Sequence, residues 1–290
     1  MSPAPSYAPF FLLAPRGPAA AVVFDSPHSG MDWPPDFTPA APREAILTTW
    51  DAYVDELWRD APDSGATLLG ARFPRAYIDV NRAVTDIDPT LLDAPWPGPL
   101  ATTDHGLRGM GLIRRYALPG VLMYDRLLSV AAVQQRIAGC YLPYRTALKD
   151  CLDSLHTRFG SVWHVNCHSM KSRGNGMNTD EGRLRPDFVV SDRLGETCAP
   201  EFTAWTAKFL IDLGYSVQIN EPYRGADIVR THGDPRTGRH SLQIEINRAL
   251  YMDETTCGKS AGFAGLQSHL GQYARALQQW VAACPPRQCG

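Results

Sequence analysis

Ala20-Ala-Val-Val-Phe-Asp-Ser-Pro-His-Ser-Gly30 is an apolar run that stops in a Pro-His-Ser-Gly turn, so His28 is expected at the carboxyl end of a strand. Trp163-His-Val-Asn-Cys-His-Ser-Met170 repeats the design: an apolar strand delivers His168 into a turn at its end. Around these two runs, short β-branched stretches alternate with longer amphipathic or polar segments, the pattern of a covered sheet with helices on its faces. Strands are predicted over 20–24, 67–71, 76–80, 161–166, 187–190, 216–219 and 242–246, and helices over 43–60, 127–159, 200–213 and 262–284. In the last helix Phe263, Leu266, Leu270, Tyr273 and Leu277 recur at three- and four-residue steps and give one apolar face. The expected class is α/β.

With 290 residues, 44% of them hydrophobic, the chain can bury one sizeable core. There is no internal repeat and no linker, so residues 1–290 are read as one domain, with 1–18 peripheral. Lys and Arg total 28 against 30 Asp and Glu, a net charge of -2, and no overall basic field draws in nucleic acid or an anionic membrane. A small-molecule partner fits better. The apolar stretch at residues 10–13 has no cationic segment before it and is far too short for a signal core or a membrane span, so a cytoplasmic protein is expected. Seven cysteines form no CxxC pair and are read as reduced thiols. Cys167 adjoins His168 and raises a thiol nucleophile or ligand, against the plainer reading of a small apolar filler in a buried strand.

Two histidines at two strand ends suggest a shared metal, because imidazole is a preferred zinc ligand and open α/β sheets place ligand sites at these ends. A carboxylate is needed to complete such a site. Position 31 is Met, which removes the usual His-x-x-Glu spacing and moves the search to Trp50-Asp-Ala-Tyr-Val-Asp-Glu56. There Asp51 and Asp55 are one helical turn apart and share a face, so both stay candidates, Asp51 first. Glu245 lies between isoleucines in Ser241-Leu-Gln-Ile-Glu-Ile-Asn-Arg248, where a carboxylate is either paired, for example with Arg248, or given a proton-transfer task. Tyr77-Ile-Asp-Val-Asn-Arg82 reads as another strand ending in polar groups. Asn81 and Arg82 there, and Arg230 elsewhere, are candidates for gripping a substrate carboxylate. Residues 84–119 and 171–185 read as long loops, the second directly after the His168 motif. No dinucleotide fingerprint, Walker loop, Gly-x-Ser-x-Gly elbow or His-Glu-x-x-His is present.

Taken together, Ser26-Pro-His-Ser-Gly30, the Asp51 segment, Ile78-Asp-Val-Asn-Arg82, Cys167-His-Ser-Met170, Pro186-Asp-Phe-Val-Val-Ser-Asp-Arg193, Asn220-Glu-Pro-Tyr-Arg-Gly225 and Gln243-Ile-Glu-Ile-Asn-Arg248 resemble the N-formylglutamate amidohydrolase family, from about Val23 to Glu254. The resemblance implies a carboxypeptidase-like three-layer α/β/α fold with a mixed central sheet. It implies a zinc-dependent amide hydrolase, or one using another divalent metal, acting on a small anionic N-acyl amino acid such as N-formyl-L-glutamate from histidine breakdown. It places metal ligands at His28, His168 and Asp51, with Asp55 second, the catalytic carboxylate at Glu245 and the arginine of the Asp-x-Asn-Arg motif at Arg82. The chain departs from the family pattern at Asn166, where an aspartate is common, and at Ala226-Asp227, where a second glycine is expected. A relative acting on another N-acyl amino acid, a non-catalytic binding protein on the same fold and a Cys167 hydrolase are the readings left beside it.

Overall fold

The two histidine-bearing runs lie side by side as parallel strands in the structure, a computed structural model that describes residues 8–284. The described strands are β1 (Phe10–Leu13), β2 (Val22–Ser26), β3 (Thr67–Ala71), β4 (Tyr116–Leu118), β5 (Val121–Leu122), β6 (Val162–Met170), β7 (Phe188–Ser191), β8 (Val217–Ile219) and β9 (Arg239–Asn247). β4 and β5 pair with each other, and the remaining strands form one sheet in the order β1-β3-β2-β6-β9-β7-β8. Its central strands β3, β2, β6 and β9 are parallel, β1 is antiparallel at one edge, and β7 reverses direction beside β9 and carries β8. The sheet is mixed, as the resemblance implies. The helices are α1 (Arg43–Leu47), α2 (Val54–Leu57), α3 (Asp104–Leu107), α4 (Val130–Arg136), α5 (Leu142–Phe159), α6 (Pro200–Asp212), α7 (Asp227–His232) and α8 (Gly262–Ala283). None is long and apolar enough to cross a membrane among the described residues.

The strands sort their side chains by period two. Val22, Phe24, Trp163, Val165, Cys167, Leu242, Ile244 and Ile246 form one apolar face, packed on α2, α6 and α8. The opposite face is apolar over β3 and the start of β2, where α4 and α5 cover it, and polar toward the carboxyl ends of β6 and β9. Register there pairs His164 with Ser241, Asn166 with Gln243 and His168 with Glu245, so these side chains stand in rows on one face. Helices on both faces make three layers.

Several expectations change. β6 runs on to Met170, so His168 sits within the strand rather than in a turn after it. Residues 43–60 are not one helix: α1 stops at Leu47 and α2 begins at Val54, with Tyr53 in the left-handed region at φ 60. Thr48 and Thr49 turn their hydroxyls back onto the carbonyls of Ala45 and Ile46, and Trp50 Nε1 and Asp51 N–H donate instead to the carbonyls of Ser29 and His28. Tertiary bonds to the His28 turn outcompete the helix. Residues 76–80 form no strand either. They are buried, which accounts for their strand-like composition, but Tyr77 N–H donates to Pro74 and Asp79 N–H to Leu112, with no neighbouring strand. The 127–159 helix is present as α4 and α5 joined by a π-helical turn over Ile137–Tyr141, just ahead of Pro143, whose ring would meet the Gly139 carbonyl in a regular α-helix.

Phe10–Leu13, expected to be peripheral with the rest of 1–18, is the edge strand, and residues 1–7 lie outside the described residues. Phe11 lies over Gly70, where a Cβ would come 2.2 Å from the ring. The six described cysteines are free, and Cys289 lies outside the described residues.

Gly30 closes the turn that carries His28, and a Cβ on it would lie 2.2 Å from the Arg72 carbonyl carbon and 2.5 Å from Ala71 O. Backbone cannot swing aside as a side chain can. Gly30→Ala is therefore expected to destabilise the fold by about 1–3 kcal/mol or more, read as a lower urea midpoint with an unchanged slope.

Candidate metal centre

His28, Asp51 and His168 converge at the carboxyl ends of β2 and β6, all of them buried. Asp51 Oδ2 lies 3.3 Å from His28 Nδ1 and 3.0 Å from His168 Nδ1, and the imidazole centroids are 4.7 Å apart. The outer nitrogens are also held. His28 Nε2 is 2.7 Å from Asp79 Oδ1, and His168 Nε2 is 2.7 Å from Asn166 Oδ1. Each ring nitrogen of His28 faces a carboxylate, and a proton on Nε2 satisfies the shorter contact, to Asp79, leaving Nδ1 as the nitrogen available to a cation. Asn166 spends its amide N–H on Asp25 Oδ1, so its carbonyl oxygen faces His168 Nε2 and turns Nδ1 toward Asp51. Two imidazole nitrogens and a carboxylate oxygen thus face one another in a buried space. The arrangement suits a divalent ion bound by two nitrogens and one oxygen, with the hydrogen bonds that orient such imidazoles already made by Asp79 and Asn166.

The far oxygen of Asp51 is tied down separately: Arg248 Nη2 donates to Oδ1 at 3.0 Å, and Arg75 Nη1 stands 3.6 Å from it. Burial alone would raise the Asp51 carboxyl, but its contacts with His168 and His28 and the Arg75 charge hold it well below the ordinary range. Asp79, also buried, is likewise held well down by Arg75, which bonds Oδ2 through Nη2 at 2.7 Å, and by His28. Both carboxylates are therefore anionic at neutral pH.

The family model for N-formylglutamate amidohydrolase matches residues 20–252, a span that contains every residue of this centre. The chain belongs to the N-formylglutamate amidohydrolase family. It is 27% identical over 237 residues to the N-formylglutamate deformylase of Pseudomonas aeruginosa, covering 80% of this chain and 82% of that protein. The corresponding Pseudomonas putida protein is 27% identical over 238 residues, with 81% and 82% covered. Among solved structures, the N-formylglutamate amidohydrolase of Ralstonia eutropha JMP134 superposes with a TM-score of 0.90 at 41% identity, over 95% of this chain and 99% of that one. The gene product Atu2144 of Agrobacterium tumefaciens shares the fold at a TM-score of 0.64 and 17% identity, with 96% of each chain covered. The chain is an amide hydrolase.

In this amidohydrolase Glu245 is the register partner of His168 on the neighbouring strand. It is 7% exposed, accepts a hydrogen bond from Gln243 Nε2 at 2.9 Å, and forms no ion pair among the described residues. Arg248, its candidate partner by sequence, is bound to Asp51 instead. Burial pushes the Glu245 carboxyl up, with His168 opposing and the Asp51 charge reinforcing the rise. Cys167 points to the other face of β6, fully buried, and its thiol is pushed well up by burial. The Cys167 thiol therefore does not face the site.

The candidate substrate groups part company. Asn81 reaches the centre: its Nδ2 donates to Asn166 Oδ1 at 3.3 Å and lies 2.9 Å from His168 Nε2. Arg82 turns its Nε to the Met110 carbonyl at 2.9 Å. Arg230 is on the surface, 56% exposed and paired with Asp227. Sequence reasoning missed Asp79, Arg75 and Arg248. Asp79 and Arg248 lie inside motifs already singled out, whereas Arg75 carries no local signal. The cleft beside Asp51 is walled by both long loops, through Met110, Arg114 and Ala117 of one and Lys171, Asn175, Met177, Asn178 and Arg185 of the other.

Asp55 does not share a helix face with Asp51, because the chain turns between them and Asp55 N–H caps onto Ser29 Oγ. Burial, the largest cause, raises its carboxyl from 3.8 to about 6. The folded state then binds more protons than the unfolded chain between these values, so Asp55 costs stability as pH rises through that window. Asp55→Asn is expected to raise the urea midpoint at pH 7, to lose that advantage by about pH 3.5, where both states are protonated, and to leave metal content unchanged.

Proposed function

We propose that this amidohydrolase is a zinc enzyme that hydrolyses N-formyl-L-glutamate to formate and L-glutamate, in line with the activity named for its relatives. The observation that carries the reading is the convergence of His28 Nδ1, His168 Nδ1 and Asp51 Oδ2 with Glu245 on the adjacent strand position. Two nitrogens and one carboxylate oxygen are a common catalytic zinc set that leaves a position open. When bound there, the ion supplies Lewis-acid polarisation of the formyl carbonyl and activation of water.

The chain's own groups do the rest. Asp79 and Asn166 hold both imidazoles in one orientation, with Nδ1 toward Asp51, and Arg248 and Arg75 keep Asp51 turned toward them. Glu245 has one oxygen fixed by Gln243, and Oε2 is left to take the proton from the attacking water and hand it to the leaving nitrogen. A carboxyl raised by burial is a stronger base than an exposed one, which suits a group that must accept a proton and then release it. Cleavage of the C–N bond by water gives formate and the free amine of glutamate, so no further reactant is needed.

The test is formate release from N-formyl-L-glutamate, run beside the N-acetyl and N-carbamoyl analogues, with metal content measured in parallel. The formyl compound is expected to be the best substrate. Equal turnover of the acetyl compound would assign the chain to a broader N-acyl amino acid hydrolase. His168→Ala is expected to lose the metal. Glu245→Gln is expected to keep the metal and the fold while lowering kcat by about two to four powers of ten. Parent activity in the glutamine variant would leave Glu245 with a structural role alone.

A further inference from the structure

The cleft over the metal centre carries more positive charge than its own carboxylates neutralise. Arg75 is paired with Asp79, Arg248 with Asp51, and Arg185 with Asp180. Arg114 has no such carboxylate among the described residues. It is 7% exposed, its Nε is buried without a hydrogen-bond partner, and its guanidinium is in no ion pair among the described residues. Lys171, on the opposite loop of the same cleft, is also in no ion pair among the described residues. A guanidinium taken out of water without an anion is unfavourable, and an arginine held that way in a ligand cleft is matched to an anion that arrives with the ligand.

The segment bearing Arg114 is held rigidly for such a task. Leu112 is bonded on both sides, its N–H to Asp86 O and its carbonyl to Asp79 N–H, and Met110 pairs with Arg114 in a short antiparallel bridge. Arg82 secures the same segment through Met110 O, which gives it a positioning task one step behind the cleft. Across the cleft, Arg185 Nη1 donates to the Lys171 carbonyl and fixes that loop.

Resting on the amide-hydrolase reading of this cleft, we propose that Arg114 is the specificity-determining residue, gripping one carboxylate of an N-acyl dicarboxylic amino acid while Lys171 faces the other. The two unpaired cations match the two negative charges of such a substrate, and its carboxylates are kept from the Asp51 and Glu245 end by like charge. The local field agrees. Burial, then the Arg75 charge, pushes the Arg114 guanidinium down to about 9, and the Arg82 charge, with burial and further arginines including Arg114, pushes His105 down to about 3.

The experiment uses the protein as purified, titrated calorimetrically with glutarate, a dicarboxylate with no bond to cleave, and with butyrate, its monocarboxylate counterpart. Arg114→Met is expected to weaken glutarate binding at least ~30-fold and butyrate binding much less, since it removes a buried charge partner. Without ligand the methionine variant is expected to unfold at or above the parent temperature, because an uncompensated charge has gone. Arg114→Lys, which keeps the charge and loses the fork, is expected to fall between the two and stands in if the methionine variant does not fold. Glutarate affinity within ~3-fold of the parent in either folded variant, or a parent that binds glutarate no better than butyrate, overturns the proposal. Because no turnover is involved, a parent that binds glutarate through Arg114 yet hydrolyses no N-formyl amino acid would sink the hydrolase reading and leave this one standing.

Discussion

The carboxylate of Asp51 is the constraint on which the rest of the centre depends. It is 1% exposed, so it is tolerated as an anion only because two arginines and two imidazoles surround it. One oxygen is given to Arg248 and Arg75, and the other is turned to two imidazoles. That division of labour sets the orientation of the carboxylate plane. It also explains why the chain leaves helical geometry after Leu47: a continued helix would forfeit the bonds from Asp51 N–H to His28 O and from Ser29 Oγ to Asp51 O, which bring the carboxylate under the histidines.

Below the centre, the polar face of β6 and β9 forms a satisfied buried network rather than a hydrophobic layer. His164 bridges Asp25 Oδ1 and Ser241 Oγ at 2.8 and 2.7 Å, Tyr144 donates to Asp25 Oδ2, and Asn166 joins Asp25 to His168. Partly filled, such a network would cost more than an apolar core; filled, it rigidifies the strand ends. The asparagine at 166 has a physical reason in this setting. Its amide donates to the Asp25 carboxylate at 2.7 Å, where an aspartate would bring two buried carboxylates together and require a shared proton. Asp25 itself is raised by burial, but His164 and its other donors outweigh that and hold it below the ordinary carboxylate range.

Much of this was legible in the sequence because strand ends announce themselves. The apolar runs ending at His28 and His168 were read from composition and turn chemistry, and Glu245 from its setting between isoleucines. The same runs held a further signal in their alternation: Trp163-His-Val-Asn-Cys-His and Leu242-Gln-Ile-Glu-Ile-Asn each alternate apolar and polar residues, which is the period of a strand with one polar buried face. What was not legible depended on distant partners. Residues 76–80 look like a strand because they are buried, yet their backbone groups bond to loops. Residues 43–60 look like a helix because nothing local reveals the bonds to the His28 turn. Arg75 and Arg114 acquire meaning only from what the fold sets beside them, a paired carboxylate for one and no carboxylate among the described residues for the other.

The central claim is that Asp51 and the two histidines hold one metal ion. It is tested most directly by crystallising the protein as purified and collecting diffraction data on either side of the absorption edge of the metal it contains. The account predicts one anomalous peak per chain, bonded to His28 Nδ1, His168 Nδ1 and Asp51 Oδ2, and present only above the edge. A fully occupied metal bound elsewhere, or well-ordered histidine and aspartate side chains in direct mutual contact with no peak between them, would contradict it.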